Sequence, residues 1–162
     1  MNMTYAASLE VCKRHADRLA WARSQFSGKF PLSAEAITAL NNTELAVLDQ
    51  FSTRFAKLQD AMGAKLFPAV LELTKEPGNY PAFLDKLNLL EKIGAIESAN
   101  QWLRLREMRN EFAHDYPDDP ELQAAILNKA NPLTSELLAI LHKVELFASN
   151  YSGTNGNESA NG

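Results

Sequence analysis

One apolar stripe limits what this chain can become. Leu48, Phe51, Phe55, Leu58, Met62, Leu66, Ala69 and Leu73 recur at steps of three and four, a spacing that collects them on one face of an α-helix. A helix with such a stripe is stable only when other elements cover it, so the rest of the chain has to supply the cover. Asn41 or Asn42 opens this helix. Gly63 and Pro68 lie inside it, and Pro68 both lacks a donor and crowds the carbonyl of Ala64, so a bend is expected there.

The flanking segments read as the covering helices. Residues 5 to 26 place Leu9, Cys12, Ala16, Leu19 and Phe26 at helical spacing, with Lys13, Arg14, Asp17 and Arg18 between them. His15 sits beside that stripe and is given a surface or packing role. Gly28 and Pro31 end the pattern, and Ser33 caps a short helix through Leu40. Glu76-Pro77-Gly78-Asn79 forms a turn, and Pro81 suits the first turn of the next helix. Phe83, Leu84, Leu87, Leu90 and Ile93 make that helix's apolar face, which Gly94 terminates. A further helix from about Glu97 buries Trp102, Leu105, Met108 and Phe112. Asp118 or Asp119 caps the last helical region, which runs through Leu122, Ala125 and Ile126, restarts or bends at Asn131-Pro132, and continues through Leu133, Leu137, Ile140, Val144, Phe147 and Tyr151. Residues 152 to 162 have nothing apolar to bury and are expected to form a disordered tail. No β alternation survives anywhere. The expectation is one all-α domain over residues 1 to 151, a bundle of four to five main helices joined by short loops.

Composition excludes several classes of function. The single cysteine, Cys12, rules out an intrachain disulfide and a cysteine-based zinc site, and suits a reducing cytosol. No stretch approaches the ~20 apolar residues that cross a bilayer, and the N-terminus reads as lacking a signal peptide; a cytoplasmic protein is expected. A formal net charge of -4 argues against broad electrostatic binding of nucleic acid but leaves room for a local basic cleft. His15, His114 and His142 are far apart and show no metal-ligand spacing. There is no glycine-rich phosphate loop and no nucleophile elbow.

Chemistry concentrates in Arg104-Leu-Arg106-Glu-Met-Arg109-Asn110-Glu111-Phe112-Ala113-His114-Asp115-Tyr116-Pro117. Pro117 disfavours helical geometry at Tyr116, so the helix is expected to stop near His114 or Asp115. Arg109 lies on the shoulder of the apolar stripe. The positions three and four away are Leu105, Arg106, Phe112 and Ala113, so no acid pairs with it locally; a functional role and a long-range salt bridge both remain open. His114 could pair with Glu111 and with the helix dipole, or act as a group titrating near neutrality in acid–base chemistry. Asn110, one turn earlier on the same face, is either solvated or orients the imidazole. Tyr116 either packs the turn or offers its phenol beside the motif. Arg104 and Arg106 make the helix side positive, whereas Asp115, Asp118, Asp119 and Glu121 make the following turn acidic. Arg109 and His114 diverge by roughly 140° about a helix axis and about 7.5 Å along it. A single straight helix cannot bring them onto one small group.

Arg109-Asn-Glu-Phe-Ala-His114-Asp-Tyr116 fits R-x-x-x-x-H-x-Y with a polar residue directly after the arginine. Near a helix end in a small all-α chain, this pattern resembles the HEPN superfamily, in particular its HepT-like toxins. The resemblance implies a HEPN-like bundle that dimerises through the motif helix, and a metal-independent endoribonuclease with a composite site and no cofactor. His114 would then act as base or acid, Arg109 would stabilise charge on the phosphate, Asn110 would orient the histidine or hold the phosphate, and Arg104 and Arg106 would meet RNA. Similar toxins are paired with a nucleotidyltransferase antitoxin that in some systems adenylylates the motif tyrosine, which here matches Tyr116. Other HEPN proteins are regarded as non-catalytic partner or substrate-binding subunits of nucleotidyltransferases, and that is the competing expectation. A third is an all-α interaction domain whose motif is coincidental.

Overall fold

The computed structural model describes residues 3–75, 82–114 and 118–158, with side chains through Tyr151. Among these residues every regular element is a helix: α1 Tyr5–Ser24, α2 Ala34–Thr38, α3 Asn42–Ala61, a π-helical turn Met62–Leu66, α4 Phe67–Thr74, α5 Phe83–Lys92, α6 Ala99–Phe112 and α7 Pro120–Glu158. The all-α expectation therefore holds. The expected turn at 76–79, Pro81 and Tyr116 lie outside the described residues. None of the described helices is long and apolar enough to cross a membrane.

Side chains begin most of the helices, as their sequences require. Thr4 accepts from the Ala7 N–H at 3.2 Å and Ser33 from that of Ala36 at 3.1 Å. Asn41 and Glu44 satisfy each other's backbone N–H groups at 2.8 and 3.2 Å, a capping box that opens α3. Asp119 accepts from Leu122 at 3.0 Å, with Pro120 in the first position of α7. Gly94, at φ +88°, supplies the left-handed residue that ends α5.

At Pro68 the helix changes register instead of ending. After Ala61 the chain enters the π turn, and the Phe67 N–H bonds to the Met62 carbonyl, five residues back. A π turn holds one residue more than the α-helix it replaces. The consequence is a phase slip in the stripe. The sequence spacing carries burial from Leu66 to Ala69 and Leu73; in the structure Leu66 and Ala69 are buried as expected, Phe67 and Val70 are both 0% exposed beside them, and Leu73 is only half-buried.

Of the restart or bend expected at Asn131-Pro132, α7 makes no restart. Pro132 sits inside one helix that runs to Glu158, so its backbone continues past Tyr151 into the stretch read as tail. Pro132 deprives the Asn128 carbonyl of its usual donor, and contacts from elsewhere fasten α7 around that point. Arg23 of α1 donates to the Asn131 carbonyl at 3.3 Å and to Ser135 Oγ at 2.6 Å. Asn128 clamps Leu32, accepting its N–H at 2.6 Å and donating to its carbonyl at 2.8 Å.

The α3 rod runs through the middle of the bundle. α1 packs along one side of it and α6 along another, while α7 covers α1, α2, α4 and α6. Trp102 of α6 is completely buried, its ring 4.6 Å from that of Phe67. Phe112 packs edge-on against Phe51 and Phe55 at 6.3 and 5.4 Å.

Candidate functional site

α6 lies antiparallel to α3, and α3 can be used as a ruler for it. Phe112 meets Phe51 and Phe55, Arg109 meets Asp60, and Trp102 reaches Gly63 and Phe67. Each motif side chain therefore has a level along the rod.

Arg109 is held at the Asp60 level. Its Nε donates to Asp60 Oδ1 and its Nη2 to Oδ2, both at 2.9 Å. This is the long-range salt bridge left open by the sequence, in the bidentate form suited to a guanidinium and a carboxylate. The hydrogen bond to Asp60 raises the guanidinium's affinity for its proton, opposed by burial and aided by the charge of Asp60. Arg106 lies on the same stretch, its guanidinium 5.6 Å from the centre of the Phe83 ring. It lines a recess of about 260 Å³ with Gln59, Asp60, Gly63, Ala64 and Phe83.

His114 belongs to a different place. α6 ends at Phe112, two to three residues short of the stop expected near His114 or Asp115, with Ala113 as its cap. The His114 N–H closes a tighter turn on the Glu111 carbonyl at 3.2 Å. The imidazole lies at the lip of a cleft of about 530 Å³. Ile37, Leu45, Leu48, Ile126 and Leu127 give this cleft an apolar lining, and Asp49, Ser52, Thr53, Glu111 and Gln123 give it polar groups. Glu111, the acid expected to pair with His114, binds Lys129 through Oε1 at 3.1 Å. Its Oε2 is buried with no hydrogen-bond partner among the described residues.

Within one chain, then, Arg109 and His114 do not converge. The cleft touches α3 at residues 45–53 and Arg109 touches it at residue 60, roughly 10–22 Å apart along a helix rising 1.5 Å per residue. Asn110, Arg104 and Arg106 are exposed on α6. Arg104, Glu107 and Asn110 follow one another at steps of three, so α6 shows solvent a stripe with both signs of charge. Tyr116 lies outside the described residues.

Sequence reasoning missed Asp60, whose partner is 49 residues away, and the cleft's polar wall from α3. Neither carries a local signal, since both depend on how α3 and α6 are laid together. Among the described residues no three His, Cys, Asp or Glu side chains are placed to hold a metal ion. Compared with family models, curated proteins and solved structures, the chain matches none of them.

Proposed function

We propose that the chain is a metal-independent endoribonuclease of the HepT-like kind, acting as a homodimer through α6 and neutralised by a nucleotidyltransferase antitoxin. The observation that carries this reading is the position of His114: exposed, just past the end of α6, at the lip of a cleft with polar groups on one wall. The reaction needs a base to take the proton of a ribose 2'-hydroxyl, whose oxygen attacks the phosphorus as the bond to the 5'-oxygen breaks. It also needs an acid to protonate that leaving oxygen. The products are a cyclic phosphate and a 5'-hydroxyl. A composite site with His114 from two copies supplies both roles. Arg109 stabilises the phosphorane charge with the guanidinium edge that Asp60 does not occupy, and Asn110 orients the imidazole or holds the phosphate. The separation of Arg109 from His114 in one chain fits a site completed by a second copy. The exposed α6 stripe also suits a two-fold contact, because Arg104 of one copy can face Glu107 of the other. Arg104 and Arg106 flank the cleavage site as RNA contacts, and Tyr116 is the residue an antitoxin would adenylylate.

The second reading is a non-catalytic HEPN subunit that binds a nucleotidyltransferase. One observation favours it: Arg109 is already satisfied by Asp60. The deciding experiment is RNA cleavage by purified protein in EDTA, with wild type beside Arg109→Ala and His114→Ala. Cleavage by wild type that is lost in both variants supports the nuclease. Intact RNA with a folded dimer whose Tyr116 is unmodified by mass spectrometry moves the assignment to the binding subunit, and loss of cutting on chelation refutes the mechanism.

A further inference from the structure

The motif makes no use of the long contact between α1 and α3. There His15 of α1 meets Arg54 of α3, with Arg54 Nη1 2.9 Å from His15 Nδ1. A guanidinium can only donate, so Nδ1 accepts, the ring is neutral and its proton sits on Nε2. Burial first, then the charges of Arg54, Lys57, Lys65 and Arg18, push the His15 pKa below its usual value. Burial and Arg18 likewise lower that of Arg54. These side chains thus form one cluster built from α1, α3 and the π turn.

The cluster has donors and positive charge, and among the described residues no carboxylate pairs with them. Among the described residues Arg18, Arg54, Lys57 and Lys65 make no salt bridge. Two acids on the same helices are committed elsewhere, Glu10 to Arg14 and Asp60 to Arg109. Asp17 stands about 200° around α1 from His15, on the face that also carries Trp21 four positions later. Arg54 Nε is buried with no hydrogen-bond partner among the described residues, a costly arrangement for a charged group. Arg18, Lys57 and Lys65 are exposed. Concentrating cations in this way on a chain of net charge -4 works against their mutual repulsion, and an anion is the group that would relieve it.

The arrangement favours a strand over a small anion. Lys57 and Lys65 are roughly 12 Å apart along the rod at 1.5 Å per residue, too far for one phosphate to bridge closely. Trp21 follows Arg18 by three positions on α1, on the adjoining surface, and is 53% exposed. Cations along a track with an open aromatic beside them are the means by which proteins hold single strands, the charges meeting phosphates and the ring stacking on a base. An acidic polypeptide would use the charges and leave the indole without a purpose.

We propose that the α1–α3 face, through His15, Arg18, Arg54, Lys57 and Lys65 with Trp21 as a stacking surface, binds the phosphodiester backbone of a single-stranded nucleic acid. This site is separate from the α6 motif and stands whether or not the chain cuts RNA.

The test uses a fluorescein-labelled 12-mer of oligothymidylate, which lacks the 2'-hydroxyl and so cannot be cleaved by the proposed route. Binding to the full chain is followed by anisotropy across a salt series, with melting curves to show each variant folded. With about four phosphate contacts, log K should fall against log salt with a slope near -3, at roughly 0.7 per contact on a single strand. The double variant Lys57→Gln, Lys65→Gln should reduce that slope by about 1.4 and weaken binding at least about tenfold at low salt. Lys143→Gln, away from this cluster, should change it by less. Emission from Trp21 should be quenched on binding, and Trp21→Ala should cost about tenfold in affinity. An unchanged slope in the lysine double variant overturns the proposal. Equal binding of polyglutamate without quenching assigns the face to an acidic protein and overturns it too, as does competition by inorganic phosphate as strong as that by the strand.

Discussion

Removing Asp60 tests whether Arg109 is a structural residue or a working one. The pair joins α3 to α6 through two parallel hydrogen bonds of 2.9 Å, but the side chains are 30% and 51% exposed. Water therefore screens the attraction, and the pair belongs to the class of exposed ion pairs worth about 0.2–1 kcal/mol, towards the top because the contact is bidentate. A double-mutant cycle of Asp60→Ala, Arg109→Ala and their combination, by urea unfolding at pH 7 and low salt, should give a coupling of about 0.5–1 kcal/mol. Each single variant should lower Tm by only about 2–4 °C for a domain of this size. Added salt should shrink the coupling. In the RNA cleavage assay Asp60→Ala should keep activity while Arg109→Ala loses it. Equal loss in both variants, with a coupling near zero on stability, would refute the reasoning, because Arg109 would then act only in the position Asp60 gives it.

Two other outcomes are expected. Burial, with a small opposing effect of Lys65, raises the Cys12 thiol from 9.0 to about 12; between those values the unfolded chain gives up a proton that the folded chain keeps, so stability should fall as pH rises, by about 1.4 kcal/mol per pH unit. Urea titrations of wild type and Cys12→Ala between pH 8 and 11 should show the extra slope only in wild type, and parallel slopes would contradict it. A Cβ at Gly63 would lie 3.4 Å from Trp102 Cζ2 and 3.5 Å from Phe83 Cζ, ordinary contact distances. Gly63→Ala should therefore raise stability by about 0.5–1 kcal/mol through lower chain entropy, and a lower melting temperature would show that the turn does not sit against those rings as described.

Periodicity and punctuation carried most of the fold. Ser33, Asn41, Gly94 and Asp119 mark helix ends where the sequence puts them, because caps act through neighbours within a few residues. Pro68 and Pro132 were legible only as irregularities. One is taken up by a change of hydrogen-bond register and the other is tolerated inside a helix fastened by Arg23 and Asn128, outcomes that depend on packing from distant segments. At the candidate site, the sequence located the end of α6 to within three residues and showed that Arg109 and His114 point apart. It could not show that Asp60 waits for Arg109, or that Arg18, Arg54, Lys57 and Lys65 gather around His15. Those groupings arise from which helices lie side by side.

The π turn at Met62–Leu66 also sets where this chain can change length. It holds one residue beyond an α-helical path between the same ends. Loss of a single residue from 62–66 would return the rod to plain α register with the faces of α3 and α4 still aligned, leaving Pro68 as the remaining irregularity. The same loss between residues 43 and 58 would turn everything downstream, up to the π turn, by about 100° relative to α1 and α6. Insertions and deletions in related chains are therefore expected to collect in this short stretch, a point of slack in an otherwise rigid rod.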